Sequence, residues 1–346
     1  MRWGLAGGSD IAATRMIPAM RALGQPVSAV ASSSLERAEA FAATHSIPAA
    51  VPDVRQLVAR EDVDAVYIST VNRLHGEHTL LAAAAGKHVL CEKPVAMDLA
   101  EAWSMVRACE AAGVVFGVNH HLPAHTTHAE IRRLVADGAV GRPMSVRVFF
   151  AFELAERLRG WRLTDADLGG PILDLMPHVA SVVNKLVGLP LDASAMAVRQ
   201  GMWAPGLEGD AEDRAMSVVR YTGDVPGDVL SQTDLGWTTP YARNGLEVHG
   251  TEGSLVATNV MRADPGGSVT LQDSAGVREI AFTEHRDAYE APLEAFARAV
   301  GGGGDPSISG LEALHALAVT LAVKQAGVTG RTVPIDLEPP GWRPPN

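Results

Sequence analysis

The first 121 residues alternate short apolar runs with segments of helical pattern, and that alternation leaves few folds open. Trp3-Gly-Leu-Ala6, Val27 to Ala31, Ala49-Ala-Val51, Ala65-Val-Tyr-Ile68, His88-Val-Leu-Cys91 and Val114-Val-Phe-Gly-Val118 read as six strands. Between them lie helical stretches, among them one running to about Leu23 and others ending near Ala85 and Ala112. Strands separated by helices pair in parallel, since a parallel connection needs a crossover long enough to hold a helix. Six such strands predict a Rossmann dinucleotide-binding domain over residues 1–121, in which ligands bind beyond the carboxyl ends of the strands.

The residues at those strand ends carry chemistry. Gly7 opens a tight turn into the first helix, where backbone amides can receive a pyrophosphate. Measured against G-x-G-x-x-G, the second glycine is Ser9 and the third is Ala12, so the fingerprint is degenerate. The second strand ends in Ser32-Ser33-Ser34 with Arg37 just inside the next helix, where an NAD site would place a carboxylate for the ribose 2′-hydroxyl. Hydroxyls and a guanidinium predict NADP(H) instead; the plainer alternative is that Ser34 caps the helix and Arg37 is solvated. Glu92-Lys93-Pro94 terminates the fifth strand, which makes Lys93 a candidate proton donor beside a cofactor or, more simply, a lysine snorkelling at a strand end.

After His121 the pattern changes to strands in series: Met144 to Phe150, Ala195 to Arg199, Met216 to Tyr221, Val229 to Thr233, Gly245 to Val248, Ser254 to Ala257, Ser268 to Leu271 and Arg278 to Phe282. They predict an α+β domain over 122–346 with a mostly antiparallel open sheet, completed by helices near 124–137, 289–300 and 311–326 and a loose Pro-rich tail from Pro339. An exposed face of that sheet is the expected surface for a homo-oligomer. Asp174 and His178 are four apart, a spacing that lets a carboxylate orient an imidazole for acid–base work. Pro177 requires the helix to begin near Leu175 or to kink, and a capping Asp174 with an unrelated buried His178 is the alternative.

Bulk properties exclude other classes. A net charge of −11 argues against nucleic acid or an anionic membrane as partner. No charge-free run reaches the ~18 residues that span a bilayer, and the chain enters Arg2-Trp-Gly-Leu-Ala6 without a basic region and long apolar stretch, so export is not expected. Two cysteines, Cys91 and Cys109, suit a reducing cytoplasm. His120, His121, His125 and His128 cluster without an acidic ligand in step, so no metal is expected.

With these motifs in hand, the chain resembles the glucose–fructose oxidoreductase/inositol 2-dehydrogenase (Gfo/Idh/MocA) family over nearly its whole length. The resemblance rests on the two-domain order, Gly86-Lys-His-Val-Leu-Cys-Glu-Lys-Pro94 and the Asp174-to-His178 element. Asn119-His-His-Leu122, Gly160-Trp-Arg-Leu163, Glu247-Val-His-Gly-Thr-Glu-Gly-Ser254 and Tyr289-Glu-Ala-Pro-Leu-Glu-Ala-Phe296 resemble a sugar-reducing branch of it. The resemblance implies reduction or oxidation of a small cyclic sugar or polyol by hydride transfer, with Lys93, Asp174 and His178 catalytic and a cis Lys93–Pro94 bond aiming the lysine at the nicotinamide. It further implies that Gly7, Ser9, Asp10, Ile11 and Ala12 hold the pyrophosphate and that Ser32, Ser33 and Arg37 take the 2′-phosphate. Ser69, Thr70, Val71, Asn72, Arg73, Leu74 and His75, with Glu92 and Lys93, would line the path to the nicotinamide. Asn119, Trp161, Arg162 and Tyr289 would also contact cofactor. Gly8, Pro177 and Pro292 depart from the pattern of that branch. A glycosidase that retains and recycles its cofactor, and a nucleotide-binding sensor without chemistry, are the competing functions for such a fold.

Overall fold

The structure, a computed structural model, describes residues 1–201, 210–222, 227–262, 267–282 and 287–338. The chain forms two compact units: Met1–His121 with Asp287–Leu314, and Leu122–Arg286 with His315–Leu337. The return of residues 287–314 to the first unit is not apparent from element order. The Pro-rich end from Pro339 lies outside the described residues.

The first unit is built on a six-stranded sheet. Its strands are β1 (Trp3–Ala6), β2 (Val27–Ala31), β3 (Ala49–Val51), β4 (Ala65–Ile68), β5 (His88–Cys91) and β6 (Phe116–Val118), in the order β3-β2-β1-β4-β5-β6. Every pairing is parallel. The order reverses between β1 and β4, so the loops that follow these two strands flank the switch point where such sheets bind ligands. Helices α1 (Ile17–Ala22), α2 (Leu35–His45), α3 (Val54–Val58), α4 (His75–Ala84) and α5 (Leu99–Ala112) connect the strands. Strand β6 begins two residues later than its apolar run suggests. The Val115 amide donates to His88 Nδ1 at 3.0 Å, a side-chain partner outside the ladder.

The late segment closes this unit. Phe296 packs on the fully buried Trp3 with ring centroids 5.4 Å apart, and Ser309 bridges to Gly117. A Cβ at Gly310 would lie 2.1 Å from the Phe116 ring, so only glycine lets the chain pass there. Pro292 falls in the first turn of the helix Glu290–Val300, where its missing N–H costs no intrahelical bond.

The second unit is a nine-stranded sheet with helices on one face. After α6 (Thr126–Ala136) come β7 (Pro143–Ala151), α7 (Trp161–Thr164), α8 (Pro171–Val187), β8 (Pro190–Val198), β9 (Arg214–Tyr221), β10 (Val229–Gly236), β11 (Gly245–Gly250), β12 (Gly253–Thr258), β13 (Ser268–Asp273) and β14 (Gly276–Glu279). Glu290–Val300 is α9, Gly310–Thr329 is α10, and the short β15 (Val333–Pro334) completes the sheet in the order β14-β13-β12-β11-β7-β10-β9-β8-β15. All pairings in it are antiparallel except β7 with β10. Strand β8 starts at Pro190, five residues earlier than expected. Strand β14 precedes the expected Arg278–Phe282: Asp273 Oδ1 accepts from the Ala275 amide at 2.8 Å, tightening the turn so that pairing resumes at Gly276.

The core of this unit is the inner face of the sheet (Val146, Val148, Val219, Val248, Leu255, Leu271) against α8 (Ile172, Met176, Val179, Val183). The inner sheet residues recur at every second position, and those of α8 follow the helical repeat. Helix α10 is long and apolar enough to cross a membrane by length and composition, yet its Ala316, Val319, Ala322 and Val323 belong to this core, which explains that composition without lipid.

Candidate active site

The turn after β1 is shaped by Gly7. Its φ is +109°, and a Cβ there would sit 3.0 Å from the Ser69 carbonyl group, so the two loops at the switch point approach as only glycine permits. Gly8 is equally constrained, since a Cβ would meet the Phe41 ring at 2.9 Å. Ser9 has an internal role beyond the expected phosphate contact: its Oγ accepts from the Ala12 amide at 3.2 Å and lies 2.7 Å from Ser69 Oγ. It therefore caps the helix and ties it to the β4 loop. The helix then runs as a π-turn over Ala12–Met16, a conformation that recurs at functional sites. Asp10 is exposed and Ile11 half-buried at its start.

Beyond β2, Ser34 Oγ accepts from the Arg37 amide at 3.3 Å and caps α2. Ser32 is half-buried and Ser33 exposed. The Arg37 guanidinium is exposed and makes no hydrogen bond or ion pair among the described residues.

The ends of β4, β5 and β6 converge on a carboxylate. Register places Tyr67 beside Leu90 and Cys91 beside Val118, so Glu92 and Asn119 emerge together from adjacent strands. Glu92 Oε1 accepts from Tyr67 Oη at 2.6 Å and from Asn119 Nδ2 at 2.6 Å, while Oε2 accepts from the Lys93 amide at 3.3 Å. Asn119 Nδ2 also reaches Met16 Sδ at 3.4 Å, and its buried Oδ1 has no partner among the described residues. Burial and the neighbouring Glu92 charge hold the Tyr67 phenol protonated well above its ordinary pKa. Lys93 follows at the strand end, half-buried, and the Lys93–Pro94 peptide is cis.

The loop after β4 continues through exposed Val71 and a 3-10 turn over Asn72–Leu74, with Arg73 also exposed. Thr70 Oγ1 is 3.1 Å from His78 Nδ1. His75 does not extend this lining: its side chain is fully buried, with ring nitrogens on the Pro94 and Thr70 carbonyls. Tyr289 is buried, stacked on His121 with centroids 5.0 Å apart, and Arg15 lies over its ring at 5.8 Å.

Asp174 and His178 belong to the second unit. Helix α8 begins at Pro171, four residues before the expected start, which places Pro177 inside the helix rather than at its entry. Asp174 pairs with Arg162, Nε to Oδ2 at 3.3 Å, and the Arg162 guanidinium lies over the Trp161 ring at 4.6 Å. His178, one turn further along α8, is buried. Arg162 reaches Asp174 because the connecting loop folds back tightly: a Cβ at Gly169 would be 2.4 Å from the Arg162 carbonyl oxygen.

Three features of the sites escape sequence reasoning. The Tyr67 bond to Glu92 had one signal, a hydroxyl in an otherwise apolar central strand that must find a partner. The Arg162–Asp174 pair had none, the two residues lying on separate elements. Glu212 had none either: its carboxylate lies where a Cβ on Gly170 would be 2.2 Å from Oε1, at the start of α8, and burial raises its pKa. Two histidines of the cluster meet backbone groups: His125 Nδ1 accepts from the Thr127 amide at 3.3 Å, and His128 Nε2 lies 2.9 Å from the Val260 carbonyl oxygen.

A pyridine nucleotide fits what is present in the first unit. The glycine turn admits a close backbone approach at the start of a helix, Arg37 offers a guanidinium, and Asn119 Oδ1 is a buried acceptor without a protein donor among the described residues.

Residues 1–120 match the model of an oxidoreductase family with an NAD-binding Rossmann fold, and residues 128–256 match the GFO/IDH/MocA C-terminal domain. The chain belongs to the GFO/IDH/MocA oxidoreductase family. It is 44% identical to the 1,5-anhydro-D-fructose reductase of Ensifer adhaerens over 97% of its own length and 98% of that protein. It is 30% identical to the D-xylose 1-dehydrogenase (NADP(+)) 2 of Haloferax volcanii over 97% of its length and all of that chain. The aldose–aldose oxidoreductase of Caulobacter crescentus shares the fold with a TM-score of 0.84 at 23% identity, over 96% of this chain and 99% of that one.

Proposed function

We propose that this protein is an NADP(H)-dependent reductase of a small cyclic sugar, with a 1,5-anhydroketose as first candidate substrate. The observation that carries the reading is Lys93, set at the carboxyl end of β5, one residue from a carboxylate locked by Tyr67 and Asn119. The 44% identity to an anhydrofructose reductase along nearly the whole chain supports the substrate class.

The cofactor would supply hydride to the carbonyl carbon. In this proposal Lys93 or His178 gives a proton to the carbonyl oxygen, and its positive charge stabilises the developing alkoxide. Asp174, itself paired with Arg162, lies one turn before His178 on the same helix. The two serines and the uncommitted Arg37 guanidinium after β2 support NADP(H) over NAD(H). Buried thiols at Cys91 and Cys109 support a cytoplasmic setting. The exposed apolar residues of β8, β9 and β10 support assembly of like chains through the outer face of the sheet.

The test is oxidation of NADPH and of NADH against a panel of ketoses, anhydroketoses and cyclic polyols. NADPH oxidation with an anhydroketose is the expected result, and Lys93→Ala should lower turnover by about 10²–10⁴-fold, far more than it lowers NADPH affinity. Undiminished turnover in that variant removes Lys93 from the reaction, and a preference for NADH removes the assigned role of Ser32, Ser33 and Arg37.

A further inference from the structure

His75 opens α4 with no exposed surface, and both of its ring nitrogens face backbone carbonyls. Nδ1 is 2.9 Å from the Pro94 oxygen and Nε2 is 3.2 Å from the Thr70 oxygen. A neutral imidazole carries one N–H, so it donates to one of these carbonyls and rests against the other. The two carbonyls belong to different parts of the site: Thr70 to the loop after β4, Pro94 to the turn that begins at Lys93.

The contacts form one chain. Ser9 Oγ lies 2.7 Å from Ser69 Oγ in the turn after β1, Thr70 follows Ser69, His75 touches Thr70 and Pro94, and Lys93 is bonded to Pro94. The next residue extends the hold. At Gly76 a Cβ would be 2.2 Å from Glu101 Oε1, and that approach lets Glu101 Oε2 accept from the Met97 amide at 3.1 Å. Asp98 Oδ1 then caps α5 through the Glu101 amide at 2.8 Å. The segment from Lys93 to Asp98 is thus fixed near its start by His75 and near its end by Glu101. His75 offers no surface for substrate, and the Glu101 carboxylate is engaged by the Met97 amide.

We propose that His75 is a positioning residue for Lys93, an internal clamp that joins the cofactor-side Thr70 loop to the Lys93–Pro94 turn. The inference rests on the reading of Lys93 as proton donor. A misplacement of about 1 Å at a reacting group can cost on the order of a hundredfold in rate, so a clamp on the residue that follows the lysine is a sensitive place to perturb turnover.

The experiment compares wild type with His75→Phe, His75→Gln and Lys93→Ala, measuring kcat, sugar KM, the Kd for NADPH and amide hydrogen exchange across residues 69–75 and 92–97. Phenylalanine fills the space without a polar atom, whereas glutamine restores a donor. In His75→Phe, kcat should fall about ten- to a hundredfold. Kd and KM should stay within about threefold, and exchange should quicken in those two segments. His75→Gln should recover part of the rate and of the protection. If His75→Phe does not fold, the glutamine variant carries the same comparison against wild type. Unchanged kcat, or a loss confined to Kd or KM, overturns the clamp, as does undiminished exchange protection in both histidine variants whatever their activity. Full turnover in Lys93→Ala overturns the proton-donor reading alone, with exchange still judging the clamp.

Discussion

Tyr67 donates its phenolic proton to Glu92 Oε1 at 2.6 Å from a position with no exposed surface. A hydrogen bond to a charged acceptor is worth about 1.5–3 kcal/mol, more than the methylene-scale packing differences around it. Asn119 holds the same oxygen, so Tyr67→Phe should leave Glu92 Oε1 with one donor and cost about 1–3 kcal/mol, read by urea unfolding. The wild type should also lose stability as pH rises above about 10, because the unfolded chain ionises its tyrosine there while the folded phenol stays protonated. Tyr67→Phe should show a shallower alkaline decline. An equal decline in both proteins would mean that Tyr67 titrates normally.

The Arg37 guanidinium, exposed at the first turn of α2, should distinguish the two nicotinamide cofactors. If it binds a 2′-phosphate, Arg37→Ala should raise the Kd for NADPH about tenfold or more and leave that for NADH unchanged. Helix α2 is capped by the Ser34 hydroxyl and not by the Arg37 side chain, so its stability should not change. Parallel titrations with both cofactors check this, and equal shifts for the two would assign Arg37 no phosphate.

The first unit was legible in the sequence because each of its strands is a short buried run bounded by helical segments. The parallel order β3-β2-β1-β4-β5-β6 then follows from ordinary crossover rules. Motifs at strand ends, such as Gly7 and Glu92-Lys93-Pro94, were legible for the same reason: the strand fixes where the next residue emerges. Less local features were hidden. Helix α8 starts at Pro171 with Pro177 inside it because the surrounding apolar face is buried, and burial outweighs the missing backbone bond. The contacts of Asp174 with Arg162, and of His75 with Thr70 and Pro94, join residues that only the folded chain brings together.

On the outer face of the second sheet, Met196 of β8 lies directly opposite Met216 of β9, and they are 79% and 49% exposed. Val218 and Leu230 extend the same apolar surface. Contiguous exposed apolar surface of this sort marks an interface more often than a solvated face. Met196→Lys combined with Met216→Lys should therefore convert an assembled protein to monomer in sedimentation velocity while leaving the melting temperature of the subunit nearly unchanged. A wild-type monomer, or an assembly indifferent to both lysines, would place any interface elsewhere.

Acid should weaken the second unit through His128. Its Nε2 lies 2.9 Å from the Val260 oxygen in a fully enclosed site, and burial lowers its pKa to about 4. Above pH 6.5 both folded and unfolded forms are neutral there and the histidine adds no pH dependence. Between 6.5 and 4 the unfolded chain takes up a proton that the folded chain refuses, so stability falls with pH, by about 2–3 kcal/mol from this group at the lower limit. His75, His78 and His88 are shifted in the same direction by burial and give the first unit an acid decline of its own. His128→Gln keeps a donor for the Val260 carbonyl and does not titrate, so its stability should fall less between pH 6.5 and 4 than that of wild type, in urea titrations at fixed ionic strength. Parallel curves for the two proteins would show that His128 gains its proton without unfolding.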